Sequence, residues 1–229
     1  MTELDLAPLE QRLDYTFQKR ELLLQALTHP SLAHDMKLAR GDNQRLEFLG
    51  DAVLQMTLTL HLFHAYPKHQ EGRLTKMRAA AVNKKALNEV ARKLELDQFI
   101  LLSRGESKNE GKTKPSNLAD AMEAIIGAIL LDAGYEFTQE WVQRIFDPVL
   151  TELGASEEVF NPKGELQEFL QGQGKATPSY QLVDESGPDH DKSYTIRVLS
   201  EGQEIGAGSG SSKKAAESSA ALNALKNVA

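Results

Sequence analysis

Arg45–Leu62, RLEFLGDAVLQMTLTLHL, constrains this chain more than any other stretch. It is apolar at most positions and free of proline, the pattern of a helix buried over most of its circumference. Two carboxylates interrupt it. Glu47 and Asp51 stand four residues apart, which puts both on one face with Cβ atoms about 5–6 Å apart. Burying one carboxylate is costly, and burying two side by side adds their repulsion. A fold keeps such a pair only where basic partners, a shared proton or a bound cation cancels the charge. Leu118–Leu131, LADAMEAIIGAILL, repeats the pattern, with Asp120 and Glu123 at i and i+3 and no basic residue. If these helices pack together, four carboxylates meet in an apolar setting, and an all-oxygen donor set suits Mg2+ or Mn2+. Gly50 and Gly127 sit inside the two helices, where glycine costs roughly 1 kcal/mol relative to alanine. Close helix–helix approach accounts for both. One acid pair alone is usually a solvated face or half of an ion pair. Two such helices, each without internal basic partners, favour the cluster.

The chain has no cysteine, which removes thiolate metal sites, disulfides and thiol catalysis and agrees with a cytoplasmic location. Met1–Leu13 is acidic and lacks the plan of a signal peptide. No stretch reads as a membrane span, since Met56–Ala65 soon meets His61, His64 and Tyr66-Pro67. That histidine pair at i,i+3 reads as packing or surface residues rather than a zinc site. At 229 residues, 41% of them hydrophobic, the chain can bury the core of one large or two ordinary domains. The formal charge of −7 divides into −3 over residues 1–153 and −4 over 154–229. It argues against a general nucleic-acid footprint, so any RNA contact depends on local basic clusters.

Periodicity predicts short helices over residues 1–40, ending at His29-Pro30-Ser31, then a polar loop from His34 to Gln44. YPKHQEG is a turn-rich break that contains Glu71. Gly72–Leu96 reads as helices carrying basic residues that include Lys84 and Lys85, either a solvated face or, for a subset, phosphate contacts. Arg104–Asn117 reads as a polar loop with three lysines leading into the second acidic helix, and Thr138–Leu153 as a further helix. A short linker at 154–160 separates residues 1–153 from 161–229, where the pattern changes. Pro162 starts a helix. Strands follow at Ser179–Val183, within SYTIRVLS and at Gln203–Gly208. An Ala-rich helix capped by Ser211 or Ser212 ends the chain. The fold class is α+β multidomain: an all-α domain followed by a small α-β-β-β-α domain.

NQRLEFLGDAVL at Asn43–Leu54 resembles the signature of the ribonuclease III family, and LADAMEAIIGAILLDAG at Leu118–Gly134 resembles its second acidic motif, in the same order and separation. Residues 161–229 resemble a double-stranded RNA-binding domain in three places: GELQEFLQ, GPDHDKSY and GAGSGSSKKAAE, the last matching a Gly-rich turn before the final helix. The resemblance implies an endoribonuclease that hydrolyses double-stranded RNA with Mg2+ (Mn2+ as a substitute) and leaves 5′-phosphate and 3′-hydroxyl ends. It implies processing of structured precursors such as ribosomal, messenger and transfer RNA by a homodimer, with no small-molecule cofactor and no membrane partner. Glu47, Asp51, Asp120 and Glu123 become the metal ligands, with Asp51 and Glu123 as the catalytic pair. Glu71 becomes an auxiliary acid. Phe48 is a dimer-contact candidate, with core packing as the alternative. In the second domain Glu165, Gln167 and Glu168 are minor-groove candidates and His190 reaches a groove. Lys213 and Lys214, at a helix N-terminus, suit phosphates. One departure stands out: Gln44 occupies a place where the family often has Glu. A catalytically silent RNA binder is the alternative class, and its expected loss of an acid is not seen. The C-terminal pattern argues against an unrelated metal phosphohydrolase.

Overall fold

The computed structural model describes residues 4–67, 69–155, 162–188 and 192–228. The chain divides into two compact units, Met1–Val159 and Phe160–Ala229. Among the described residues the first unit is helical: α1 (Ala7–Leu13), α2 (Arg20–Ala26), α3 (Pro30–Met36), α4 (Gln44–Ala65), α5 (Glu71–Ala81), α6 (Lys84–Lys93), α7 (Arg104–Lys108), α8 (Pro115–Ala133) and α9 (Tyr135–Ala155). A single 3-10 turn, Leu96–Gln98, follows α6. No described helix is long and apolar enough to cross a membrane.

Helices α4 and α8 form the centre. Leu46, Leu54, Leu58 and Leu62 of α4 and Leu118, Met122, Ile125, Ile126 and Ile129 of α8 are buried in one core, to which Trp141 and Phe146 of α9 also contribute. Burying each large aliphatic side chain is worth about 1.5–3 kcal/mol, so the acidic residues on these helices are carried by the surrounding packing. The helix ends follow from local chemistry. Pro115 stands at the first turn of α8, and Gly134 at φ 84° ends it. Asn83 caps α6 by accepting the Ala86 N–H at 2.9 Å. His29 caps α3 through Nδ1, and the adjoining Thr28 pairs with Leu101 in an isolated parallel bridge.

Two local expectations are corrected. The Arg104–Asn117 segment is not one continuous loop. Ser103 Oγ accepts the Glu106 N–H at 3.2 Å and nucleates the short α7, while α8 already begins at Pro115. Glu71 stands at the first residue of α5 rather than in a turn.

The second unit contains α10 (Pro162–Gly172), then β1 (Ser179–Ser186), β2 (Ser193–Ser200) and β3 (Gln203–Gly210), then α11 (Lys213–Val228). The strands form an antiparallel sheet in the order β1-β2-β3, with a register shift between Leu182 and Asp184. Leu166 and Leu170 of α10, Ile196 and Val198 of β2, and Ala216, Ala220 and Ala224 of α11 make its core. The expected strand Gln203–Gly208 continues through Ser209 and Gly210, so the whole GAGSG run is strand where the motif match implied a turn. Gly206 and Gly210 lie on the face covered by α11, and a Cβ on either would stand 2.7 Å from the helix backbone. Small residues on strand and helix let α11 lie directly on the sheet. Asn223 and Asn227 donate to the Ala207 and Ile205 carbonyls, satisfying two acceptors of edge strand β3. Ser212, not Ser211, caps α11, with its Oγ accepting the Ala215 N–H at 3.2 Å.

Candidate active site

The two glycines determine how α4 meets α8. A Cβ on Gly50 would lie 2.7 Å from the Glu123 carbonyl carbon and 2.9 Å from the Gly127 nitrogen. A Cβ on Gly127 would lie 3.1 Å from the Leu46 carbonyl carbon. The backbones therefore cross almost in contact. Glu47 and Asp51 flank Gly50 on one side of the crossing, and Glu123 stands one turn before Gly127 on the other.

This crossing gathers Glu47, Asp120 and Glu123. One carboxylate oxygen from each lies within 4.8 Å of the others, and all three side chains are partly buried. Glu123 feels the setting most. Burial, and then the charges of Asp51, Glu47 and Asp120, push its carboxyl up to about 8 against an opposing pull from Lys84. Glu47 is raised by burial and then by the charge of Asp120. Burial raises Asp120 as well, opposed by Lys84, His29 and Lys114. Three half-desolvated carboxylates that resist ionisation together are a fitting donor set for a hard divalent cation, which would relieve their repulsion. No other group of three or more potential metal ligands occurs among the described residues.

Asp51 is near but turned aside. Both of its carboxylate oxygens accept from Gln55 Nε2, at 2.9 and 3.0 Å. It acts on Glu123 through its charge without joining the group of three. Gln55 lies one turn beyond Asp51, so this partner was legible at i+4. Lys84 was legible only as one of many lysines. In three dimensions its charge opposes the ionisation penalty of Glu47, Asp120 and Glu123 alike.

The remaining candidates are dispersed. Glu71 lies outside the group of three. Its Oε1 accepts from Thr75 Oγ1 at 2.7 Å, and it lines a cavity of about 440 Å3 with Leu62, Phe63 and Leu74. Gln44 is exposed at the start of α4, where its N–H donates to Asp42 Oδ1. Phe48 is 81% exposed, which excludes core packing. Met56, Leu60 and Phe63 are also exposed on α4. His61 and His64 line a cavity of about 380 Å3 beside Gln139 and Gln143 of α9. In the second unit Gln167 and Glu168 are exposed on α10, while Glu165 is half-buried. Lys213 and Lys214 are exposed at the start of α11, with the Lys213 ammonium 5.8 Å from the centre of the Tyr194 ring. His190, residues 156–160 of the expected linker and residue 161 lie outside the described residues.

Comparison with known proteins matches both units. Residues 19–149 match the family described as Ribonuclease-III-like, and residues 162–228 match the double-stranded RNA binding motif. The chain is 44% identical over 222 residues to Ribonuclease 3 of Desulforamulus reducens, covering 96% of this chain and 90% of that protein. It is 43% identical over 220 residues to Ribonuclease 3 of Campylobacter jejuni, covering 96% of each. A solved nuclease domain of ribonuclease III from Campylobacter jejuni superposes with a TM-score of 0.59 at 47% identity, covering 63% of this chain and 97% of that domain. That structure concerns flexibility in a region involved in dimer formation.

Proposed function

The chain belongs to the ribonuclease III family, and from that premise we propose that it is an endoribonuclease that hydrolyses phosphodiester bonds of double-stranded RNA with a divalent cation. The observation that carries this reading is the convergence of Glu47, Asp120 and Glu123 within the matched segment. The catalytic unit is placed at residues 1–153 and the RNA-binding unit at residues 161–229, and the expected linker of residues 154–160 begins within the last turn of α9, which runs to Ala155.

In this reading Glu47, Asp120 and Glu123 would hold the cation, with Asp51, whose carboxylate accepts from Gln55, as the fourth ligand. Asp51 and Glu123 form the catalytic pair. Mg2+ is the expected ion, with Mn2+ as a substitute. When bound, such an ion supplies Lewis acidity, lowering the pKa of water and offsetting charge on the scissile phosphate. The Glu123 carboxyl, which holds its proton up to about 8, must release it to act as a ligand. Lys84 and Lys114, whose charges already act on Asp120, orient the RNA phosphate toward the acids. Hydrolysis leaves 5′-phosphate and 3′-hydroxyl ends, so the RNA 2′-hydroxyl is not the nucleophile.

Double-stranded RNA is held by the second unit through Gln167, Glu168, Lys213, Lys214 and His190, with Glu165 as a further contact. Such domains read 2′-hydroxyls and phosphates over about 16 bp of A-form helix, which reconciles RNA binding with the chain's net negative charge. The active form is a homodimer. Phe48, Met56, Leu60 and Phe63 form an exposed apolar stripe along α4, and such a stripe signals a partner surface. Glu71, which lines one cavity with Phe63 of this stripe, serves as a further acid near the cleavage site. The setting is cytoplasmic maturation of ribosomal RNA and other structured precursors. Incubating long duplex RNA with the protein tests the reading on a denaturing gel. Defined fragments with Mg2+ and none with chelator are expected, and intact duplex under both conditions would favour a binding protein without activity.

A further inference from the structure

Asn117 stands one turn before Asp120 on α8, as Asp120 stands one turn before Glu123. Asparagine is a poor residue inside a helix, and a buried amide needs partners. Asn117 is only 5% exposed. Its Nδ2 donates to the Gly111 carbonyl oxygen at 2.9 Å and to Glu106 Oε1 at 3.2 Å. Both acceptors belong to the segment that precedes α8. That segment folds tightly on itself. The Gly111 N–H donates to the Glu106 carbonyl oxygen at 3.0 Å, and a Cβ on Gly111 would stand 2.6 Å from that same oxygen. Two further ties fix its ends. The Ser103 N–H donates to Ser31 Oγ at 3.2 Å, and Arg92 Nη2 donates to the Thr113 carbonyl at 2.9 Å. Lys108, Lys112 and Lys114 remain exposed on it, with Lys114 Nζ 3.7 Å from Glu106 Oε1.

We propose that Asn117 and Glu106 are positioning residues that clamp the basic 104–114 segment to the turn of α8 carrying Asp120, so that its lysines meet the RNA backbone in fixed register with the acid cluster. The proposal rests on the duplex-RNA reading given above and assigns a role to residues outside the cluster. Glu106 is thereby an acid spent on geometry rather than on the cation. Freed from the clamp, three long cationic side chains and their backbone must be ordered by each encounter with RNA, which weakens substrate capture without altering the reacting groups.

The test compares Asn117→Ala, Glu106→Ala, their double variant and Glu106→Gln in steady-state cleavage of a duplex of fixed length. Glu106→Gln keeps an oxygen to accept the Asn117 amide and serves as the conservative rescue. Asn117→Ala and Glu106→Ala should each raise KM about tenfold, as for the loss of a charge-assisted phosphate contact, with kcat within about threefold. The Mg2+ midpoint should stay in place, and the salt dependence of KM should become shallower by about one phosphate contact. The double variant should be no worse than the weaker single, and Glu106→Gln should stay near the unmodified protein. Unchanged KM and salt slope in folded Asn117→Ala and Glu106→Ala would overturn the clamp, as would a fall in kcat with a shifted Mg2+ midpoint. If Asn117→Ala fails to fold, the partly exposed Glu106→Ala decides. An unmodified protein that leaves duplex RNA intact defeats the functional reading itself, whereas cleavage with unchanged KM in the variants defeats only the clamp.

Discussion

Glu123 meets opposing demands. Burial and three neighbouring acids raise its carboxyl to about 8, yet the proposed chemistry needs it ionised. A raised folded-state pKa stabilises the protein below the ordinary carboxylate value of 4.5, and that contribution is lost as pH climbs through about 8. Thermal melts of metal-free protein should therefore lose a few degrees on going from acidic pH to above pH ~8, and added Mg2+ should reverse the loss. Below pH ~8 each cation displaces a proton, so at subsaturating Mg2+ cleavage should rise up to about tenfold per pH unit. A pH-independent Mg2+ midpoint would show that Glu123 is already ionised and that the cluster is less strained than its burial implies. Spacing made legible the pair within each helix, Glu47 with Asp51 and Asp120 with Glu123, while the meeting of the two helices came only with the resemblance and the fold. The i+4 spacing allows the bond from Gln55 to Asp51, but only the folded site shows that both carboxylate oxygens take it while Asp51 stays outside the group of three.

At the scale of elements, the α4–α8 crossing depends on glycine. Gly50 and Gly127 were legible as anomalies, since each costs helix stability and no turn requires it. The structure supplies the reason in near-contact backbones. Gly50→Ala separates two forces. Helix propensity alone would stabilise by about 1 kcal/mol. Overpacking against the Glu123 carbonyl costs about 1–3 kcal/mol or more, because the opposing atom is backbone and cannot rotate away. A lowered Tm together with reduced cleavage is expected, since parting the helices parts the acids. A raised Tm would mean that the crossing tolerates a methyl group. Other elements were less legible. Arg104–Lys108 looked like loop because its residues are polar and include glycine, and its short helix depends on the Ser103 cap. The end of the GAGSG run, Ser209-Gly210, matched a turn because glycine usually marks one, yet β3 runs on to Gly210. Here alternate glycines make a flat strand face on which the alanines of α11 rest.

Across the whole molecule, the proposed acid cluster and the apolar stripe lie in the first unit, while the exposed lysines of α11 lie in the second. Residues 1–153 alone should therefore dimerise and retain weak Mg2+-dependent cleavage, strongest at low salt where the remaining phosphate contacts count most. A truncated protein that is monomeric and inert even at high concentration and low salt would contradict that division. In this division one unit cuts while the other holds the duplex, and Glu123→Gln separates the two. The substitution keeps size and an oxygen at one ligand position while removing a charge that Mg2+ favours. Single-turnover cleavage in Mg2+ and duplex binding by gel shift in Ca2+ are measured on the same preparation. That division requires cleavage slowed by at least about a hundredfold, a loss of roughly 3 kcal/mol of transition-state stabilisation, with duplex affinity nearly unchanged. Cleavage by Glu123→Gln at the unmodified rate would contradict it.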